Sequence, residues 1–193
     1  MDADDWDARY AEAPDLWGSG PNSLVTDLVG GLAPGRAVDL ACGDGRHTAW
    51  LSSLGWQVEG VDFSPEAVRQ ASRRPGTDLT RAAFTVGDAT TYSPSRGLDL
   101  VLVAYLHLPD LGALLARAAG WLAPGGRLVY LGHARENLAH GVGGPSDASV
   151  LPTVEALASG LSNVRVLDLR HVERETPRGT AVDVLAVAEP WPV

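Results

Sequence analysis

Apolar positions along the chain follow two different periods. Leu24, Val25, Leu28, Val29 and Leu32 recur at three- and four-residue intervals, which predicts a helix face ending at Gly30-Gly31 or shortly after, before Pro34-Gly35. Arg36 to Ala41 is a short β-like run that meets the turn Cys42-Gly43-Asp44-Gly45. His47, Trp50, Leu51 and Leu54 then mark a helix closed by Gly55. Gln57 to Asp62 reads as a second strand, and Ser64 followed by Pro65 opens the next helix as N-cap and first helical residue. Ala83 to Gly87 and Leu98 to Ala104 are strands three and four, continuous enough in apolar residues to be buried in a parallel sheet. Leu111, Leu114, Leu115 and Ala118 line a helix ended by Pro124-Gly125-Gly126, and Arg127 to Gly132 is strand five. A long loop, about His133 to Leu151, precedes a helix carrying Val154, Leu157, Ala158 and Leu161. The chain closes with Val164 to Val172 and Ala181 to Ala188. Only the hairpin-length connection Thr176-Pro177-Arg178-Gly179 joins them, so they run antiparallel.

This order predicts an α/β fold: a single doubly wound Rossmann-like domain whose seven-stranded, mostly parallel sheet ends in a C-terminal antiparallel hairpin. The 193 residues suit one domain. Residues 1–35 form an N-terminal helical lid segment, 36–132 a cofactor-binding half, and 133–193 a substrate loop and C-terminal hairpin. Apolar residues at 45% and charged residues at 20% exclude wholesale disorder. The longest apolar run, Leu100 to Leu106, is strand-sized, and the opening Met1-Asp2-Ala3-Asp4-Asp5 is acidic where a secretory signal would be basic. A cytoplasmic protein with no membrane partner is expected, as a monomer or weak homo-oligomer. The formal charge of −9 disfavours nucleic acid as partner. The lone cysteine, Cys42, excludes an intramolecular disulfide and a Cys-rich zinc site. All 15 basic residues are arginine, which removes Schiff-base, pyridoxal-phosphate and P-loop lysine chemistry.

In a doubly wound sheet, ligands sit at the carboxyl ends of the strands. The turn Asp39-Leu40-Ala41-Cys42-Gly43-Asp44-Gly45 falls there, and Asp62 ends strand two 19 residues past Gly43, the distance at which a carboxylate accepts ribose hydroxyls. Glycines in such a turn let a cofactor approach the backbone. A nicotinamide dinucleotide fingerprint adds a third glycine three residues on, around a pyrophosphate. That position is Thr48. S-adenosylmethionine has no pyrophosphate and needs the open turn without the third glycine.

Val38-Asp39-Leu40-Ala41-Cys42-Gly43-Asp44-Gly45 resembles motif I of the class I S-adenosylmethionine-dependent methyltransferases. Val61-Asp62-Phe63-Ser64 resembles their ribose-binding motif, Gly87-Asp88-Ala89 the adenine-binding one, and Leu98-Asp99-Leu100-Val101 the strand-four motif. Leu122-Ala123-Pro124-Gly125-Gly126-Arg127-Leu128 is similar to the entry to strand five. On the flanks, Trp6 to Tyr10, Leu16-Trp17-Gly18, Pro21-Asn22 and the loop His140-Gly141-Val142-Gly143-Gly144-Pro145 with Asp147 resemble the bacterial tellurite-resistance-type small-molecule methyltransferases.

The resemblance implies methyl transfer from S-adenosylmethionine to a small-molecule acceptor through oxygen, sulfur, nitrogen or a chalcogen. Asp62 would hold the ribose hydroxyls and Phe63 would lie against the adenine. Asp88 would accept the adenine amino group, with the Ala89 amide addressing the ring. Ala41, Cys42, Gly43 and Gly45 would wall the methionine portion, and Ala104, ending strand four, counts with the cofactor-binding positions. Asp39 would either anchor the turn or reach the cofactor's ammonium. Tyr105 and His107 follow strand four, where the family places residues close to the transferring methyl. His107 reads either as a general base or as a packing residue between leucines. The family's Asn/Asp-Pro-Pro-aromatic signature of nucleobase and glutamine methylation is absent, since the chain reads Ala104-Tyr105-Leu106-His107.

The loop beginning at His133 is the candidate acceptor contact, and it carries His133, Arg135, Asn137 and His140. Tyr105, His107, His133 and His140 are therefore the candidate catalytic residues. Trp6, Tyr10 and Trp17 act either as a lid or as core packing for an N-terminal helix. His133 and Glu136 are spaced as metal ligands are, but no further cluster supports them, and no metal is expected. Two other readings stay open: an NAD(P)-dependent oxidoreductase, and a non-catalytic S-adenosylmethionine-binding protein.

Overall fold

The computed structural model describes residues 2–13, 15–94 and 97–192. Among them, seven strands form one sheet of order β3-β2-β1-β4-β5-β7-β6. They are β1 (Arg36–Leu40), β2 (Gln57–Asp62), β3 (Ala82–Val86), β4 (Leu98–Ala104), β5 (Leu122–His133), β6 (Arg165–Thr176) and β7 (Gly179–Glu189). The helices are α1 (Ala3–Glu12), α2 (Ser23–Val29), α3 (Arg46–Ser53), α4 (Pro65–Ala71), α5 (Leu111–Ala119), α6 (Asn137–His140) and α7 (Val154–Gly160). No helix among the described residues is long and apolar enough to cross a membrane.

The chain divides into two compact units, Met1–Leu102 and Val103–Val193, with the boundary inside β4. In the first, β1 pairs parallel with β2 from Arg36↔Gln57 to Leu40↔Val61, and β2 pairs parallel with β3 from Val58↔Ala82 to Asp62↔Val86. These registers bring Leu40 and Asp62, at the carboxyl ends of β1 and β2, into adjacent rows. Val38, Leu40, Val61 and Leu100 are fully buried here. Helix α1 is set by a capping box, in which Asp2 and Asp5 each accept the other's backbone N–H. It is moored to α4, because the Asp7 carboxylate accepts from the Ser64 hydroxyl and the Glu66 amide, and Gln70 donates to the Tyr10 carbonyl at 2.7 Å.

In the second unit, β5 pairs antiparallel with β7 from Leu128↔Ala188 to His133↔Asp183. β7 pairs antiparallel with β6 down to Thr176↔Gly179, with an irregularity between Val166 and Asp168. Helices α5 and α7 approach through a pair of glycines: a Cβ on Gly160 would stand 2.6 Å from the Gly112 Cα.

β3, expected to be buried over Ala83 to Gly87, is instead Ala82–Val86 at the sheet edge, with Ala83, Thr85 and Val86 exposed because no described strand pairs beyond it, and further boundaries differ from the pattern reading. Helix α5 stops at Ala119, where the Gly120 amide caps it, and β5 already begins at Leu122. Pro124-Gly125-Gly126 is thus absorbed into the strand entry, with Gly125 at φ 79°. His133 is the last residue of β5 rather than the first of a loop, and the following segment contains α6 and a 3-10 turn, Ala148–Val150. β6 extends to Thr176, beyond the apolar run, because Glu173, Arg174 and Glu175 are charged and yet continue the ladder.

Candidate active site

β1 hands over to α3 through a turn with three left-handed residues: Ala41 (φ 61°), Gly43 (56°) and Gly45 (80°). Two of them have no room for a side chain. A Cβ on Gly43 would lie 2.6 Å from the Tyr10 hydroxyl oxygen, and one on Gly45 would lie 2.6 Å from the Ala71 Cβ. Ala41 adopts the same conformation with a methyl group, at a cost of about 1–2 kcal/mol. The Cys42 amide donates to the Val61 carbonyl at 3.0 Å, tying the turn to β2. Cys42 is buried, and burial pushes its thiol up, away from the thiolate form that a nucleophile needs.

Beneath the turn, the Thr48 hydroxyl donates to Asp39 Oδ2 at 2.7 Å, while Asp39 Oδ1 is buried without a hydrogen-bond partner among the described residues. Asp39 is 1% exposed, and burial raises its carboxyl to about 6 despite the Thr48 bond. Thr48 has room because β2 carries Gly60 opposite it; a Cβ there would meet Thr48 Oγ1 at 2.8 Å. The position that a dinucleotide fingerprint gives to glycine therefore holds a side chain that anchors Asp39.

Asp62 closes β2. Its Oδ2 accepts from the Gly43 amide at 2.8 Å and its Oδ1 from the Ser64 amide at 3.0 Å. Burial raises its carboxyl, and these amides partly offset the rise. Phe63 follows, 37% exposed. The Gly87 amide donates to the Asp62 carbonyl at 2.9 Å, which places the strand-three motif beside it. Asp88 forms a local turn, its Oδ1 accepting from the Thr90 amide and hydroxyl, and Ala89 is buried.

The N-terminal aromatics gather over this turn. Tyr10 is buried and accepts from Trp17 Nε1 at 3.1 Å, and Trp6 lies 5.8 Å from Tyr10 and 6.1 Å from Trp17 between ring centroids. Arg46 donates to the Trp17 carbonyl, and Arg74 to the Gly18 carbonyl as well as pairing with Asp44 at 3.0 Å. Tyr10 is thus buried against Trp6 and Trp17.

The second unit holds its own polar cluster. Asp183 has a fully buried side chain; its Oδ2 accepts from the Tyr105 hydroxyl at 2.7 Å and from Arg174 Nε at 2.7 Å. His133 Nδ1 lies 3.0 Å from Asp183 Oδ1, off the line of an ideal hydrogen bond. Burial pushes the Asp183 carboxyl up, but the nearby His133 and the bonds from Arg174 and Tyr105 more than reverse it, holding it at about 2. Arg174 also stacks over the Tyr105 ring at 5.4 Å. Tyr105 itself sits at φ 61°, its amide donating to the Leu131 carbonyl.

His107 stacks on His133 with centroids 5.6 Å apart. Its Nε2 accepts from the His133 backbone amide at 3.0 Å, and its other nitrogen bonds the Tyr105 backbone. Burial lowers it to about 4, so it is held neutral with its lone pair engaged. His140 ends α6, exposed, away from this cluster's bonds. Asn137 is structural, donating to the Gly143 carbonyl and accepting from the Val182 amide. Glu136 lies 3.1 Å from His171 rather than near His133, and no group of three or more His, Cys, Asp or Glu among the described residues is arranged to hold a metal. Pattern reading missed Asp183 and Arg174. The one trace of the former is an acid inside the apolar run Ala181 to Ala188.

A sheet of this order with an antiparallel last hairpin, carrying an open glycine turn after β1 and an acid after β2, is the fold of the class I S-adenosylmethionine-dependent methyltransferases. Residues 37–126 match the family model described as a methyltransferase domain. Trans-aconitate 2-methyltransferase of Methylobacterium radiotolerans is 43% identical over 101 residues, which cover 50% of this chain and 37% of that protein. The chain thus spans well under half the length of this curated relative. TehB from Haemophilus influenzae superposes with a TM-score of 0.74 at 14% identity, over 96% of this chain and 67% of that one. The N-methyltransferase NodS from Bradyrhizobium japonicum, in complex with S-adenosyl-L-homocysteine, gives 0.71 at 17% identity over 96% of both chains. At those identities the two structures speak for the fold.

Proposed function

We propose that this chain transfers a methyl group from S-adenosylmethionine to a small-molecule acceptor by in-line displacement. When bound, the cofactor supplies a methyl group activated on a sulfonium sulfur. The chain's residues bind, orient and exclude water, and alignment of two reactants is worth about 7–11 kcal/mol of barrier. The observation that carries the reading is the buried, unpartnered Asp39 Oδ1 under the left-handed turn, which suits the cofactor's ammonium. Asp62 accepts from the Gly43, Ser64 and Phe63 amides, and the lone pair that remains on its two oxygens suits a ribose hydroxyl. The exposed face of Phe63 suits adenine, with Asp88 and the Ala89 amide at its edge. Ala41, Cys42, Gly43, Gly45 and Ala104 form walls. Tyr105 and His133 are assigned to the acceptor; His107 serves as packing and His140 carries no role here. That the trans-aconitate enzyme is named for a small acceptor supports this class, though the short overlap leaves the acceptor itself to this chain's own chemistry.

Calorimetric titration with S-adenosylmethionine, S-adenosylhomocysteine and NAD tests the reading. Micromolar binding of the first two, about −8 kcal/mol, with none of NAD is expected. Binding of NAD alone would sink it. Binding of the first two without turnover of any phenol, thiol, amine, carboxylate or chalcogen oxyanion would instead mark a non-catalytic binding protein.

A further inference from the structure

We infer that His133 is the proton acceptor of the reaction, with Asp183 its positioning residue, and that the methyl acceptor is a molecule bearing a weakly acidic O–H or S–H of phenol, enol or thiol type. This deepens the methyl-transfer reading above and rests on it. Asp183 is buried, and its Oδ2 is saturated by Tyr105 and Arg174, leaving Oδ1 for His133 at 3.0 Å. An ionised carboxylate beside Nδ1 keeps the proton there and puts the imidazole lone pair on Nε2. The ring plane is fixed on both sides, by His107 stacked at 5.6 Å with planes 18° apart and by Tyr105 edge-on at 5.3 Å. Gly144, at φ 77°, packs against the ring, where a Cβ would come 2.6 Å from Cδ2, 2.7 Å from Cγ and 3.1 Å from Nε2. Glycine at that position keeps a side chain off the basic nitrogen.

The charged and titratable groups around His133 are Asp183 from β7, Arg174 from β6 through Asp183, Tyr105 and His107 from the segment after β4, and Tyr130 of β5, whose hydroxyl donates to the Leu106 carbonyl. Beside the Gly144 loop, Arg178 comes 3.1 Å from where a Gly143 Cβ would stand. Arg174 pairs with Asp183 and cancels its formal charge. No other histidine of the cluster can take the part, because the His107 lone pair is already engaged.

The balance is simple. The acceptor's X–H bond breaks and its proton goes to His133 Nε2. The pair left on X forms the X–CH₃ bond, and the carbon–sulfur pair returns to sulfur, giving a neutral thioether and an imidazolium. A carboxylic acid is already an anion at neutral pH and needs no such partner, whereas a phenol, enol or thiol does.

Two readouts test this. In ¹⁵N-histidine-labelled, cofactor-free full chain near pH 8, two-bond ¹H–¹⁵N spectra should show His133 protonated on Nδ1, reverting to the Nε2–H form in Asp183→Asn. An Nε2–H form in the wild type overturns the proposal. With S-adenosylmethionine and a panel of a phenol, a thiol and a carboxylic acid, kcat/KM for the phenol or thiol should rise with pH through one ionisation. It should fall about 10²–10⁴-fold in His133→Gln, with cofactor affinity unchanged by calorimetry. Wild-type rates in His133→Gln, or a preference for the carboxylic acid, overturn it. If His133→Gln does not fold, Asp183→Asn carries the same rate readout. Failure of the wild type to bind S-adenosylmethionine strikes the methyl-transfer reading instead, and the tautomer then decides the pairing by itself.

Discussion

Asp39→Asn separates the demands of the fold from those of the site. In the wild type, burial raises the Asp39 carboxyl from its ordinary 3.8 to about 6, so the folded chain holds this proton more tightly than the unfolded chain. A carboxyl raised in this way contributes stability in acid, and the contribution is lost as pH rises through about 6. Between pH 5 and pH 8 the loss is about 1.4 kcal/mol, and the full shift corresponds to about 3 kcal/mol in stronger acid. Asparagine keeps an oxygen for the Thr48 hydroxyl and has no charge to desolvate. In urea unfolding of the cofactor-free proteins, the stability difference in favour of Asp39→Asn should therefore widen by about 1.4 kcal/mol from pH 5 to pH 8. Taking the difference cancels Asp44, whose carboxyl burial also raises, and leaves the Asp39–Asp62 repulsion as part of the effect measured. A difference that stays constant across that range would refute the electrostatic account of Asp39. The same variant should bind S-adenosylmethionine at least tenfold more weakly, because the unpartnered oxygen that strains the empty fold is the one assigned to the ammonium.

Other expectations follow from single contacts. Gly60→Ala forces a methyl to within 2.8 Å of Thr48 Oγ1 and 2.9 Å of Phe84 Cδ1, and should lower stability by about 1–3 kcal/mol in urea unfolding. Cys42 should resist a thiol-disulfide reagent at pH 8 in the folded chain and react at once when urea is added; prompt reaction in the native state would contradict its burial. Arg74→Met leaves Asp44 buried without its partner, and should cost about 3–5 kcal/mol and open the Asp15–Gly18 turn to limited proteolysis.

The alternation of strand and helix was legible because β4, in the middle of the sheet, is buried on both faces and reads as an almost continuous apolar run, whereas β3, at the edge, is exposed at Ala83, Thr85 and Val86. The glycine turn and Asp62 were legible because their chemistry lies in consecutive residues. The Asp183 cluster was not. His133 and Asp183 are 50 positions apart and meet only through the β5–β7 register, and no local period encodes a register between distant strands. Arg174 was hidden for a related reason: it belongs to the polar stretch of β6 where pairing continues after apolar alternation ends. His107 stood open between general base and packing residue in the sequence, because the backbone bonds to its two ring nitrogens, one of them from His133, join positions that no local pattern links.

The cover formed by Trp6, Tyr10 and Trp17 bears on how the molecule is made. Asp7 waits for Ser64 and Glu66, Tyr10 for Gln70, Trp17 for Arg46, and Gly18 for Arg74. These partners lie 29 to 60 residues downstream in the chain. During synthesis the segment therefore leaves the ribosome with its tryptophans undocked until α4 has followed, so its settling is a late, long-range closure rather than a first nucleus.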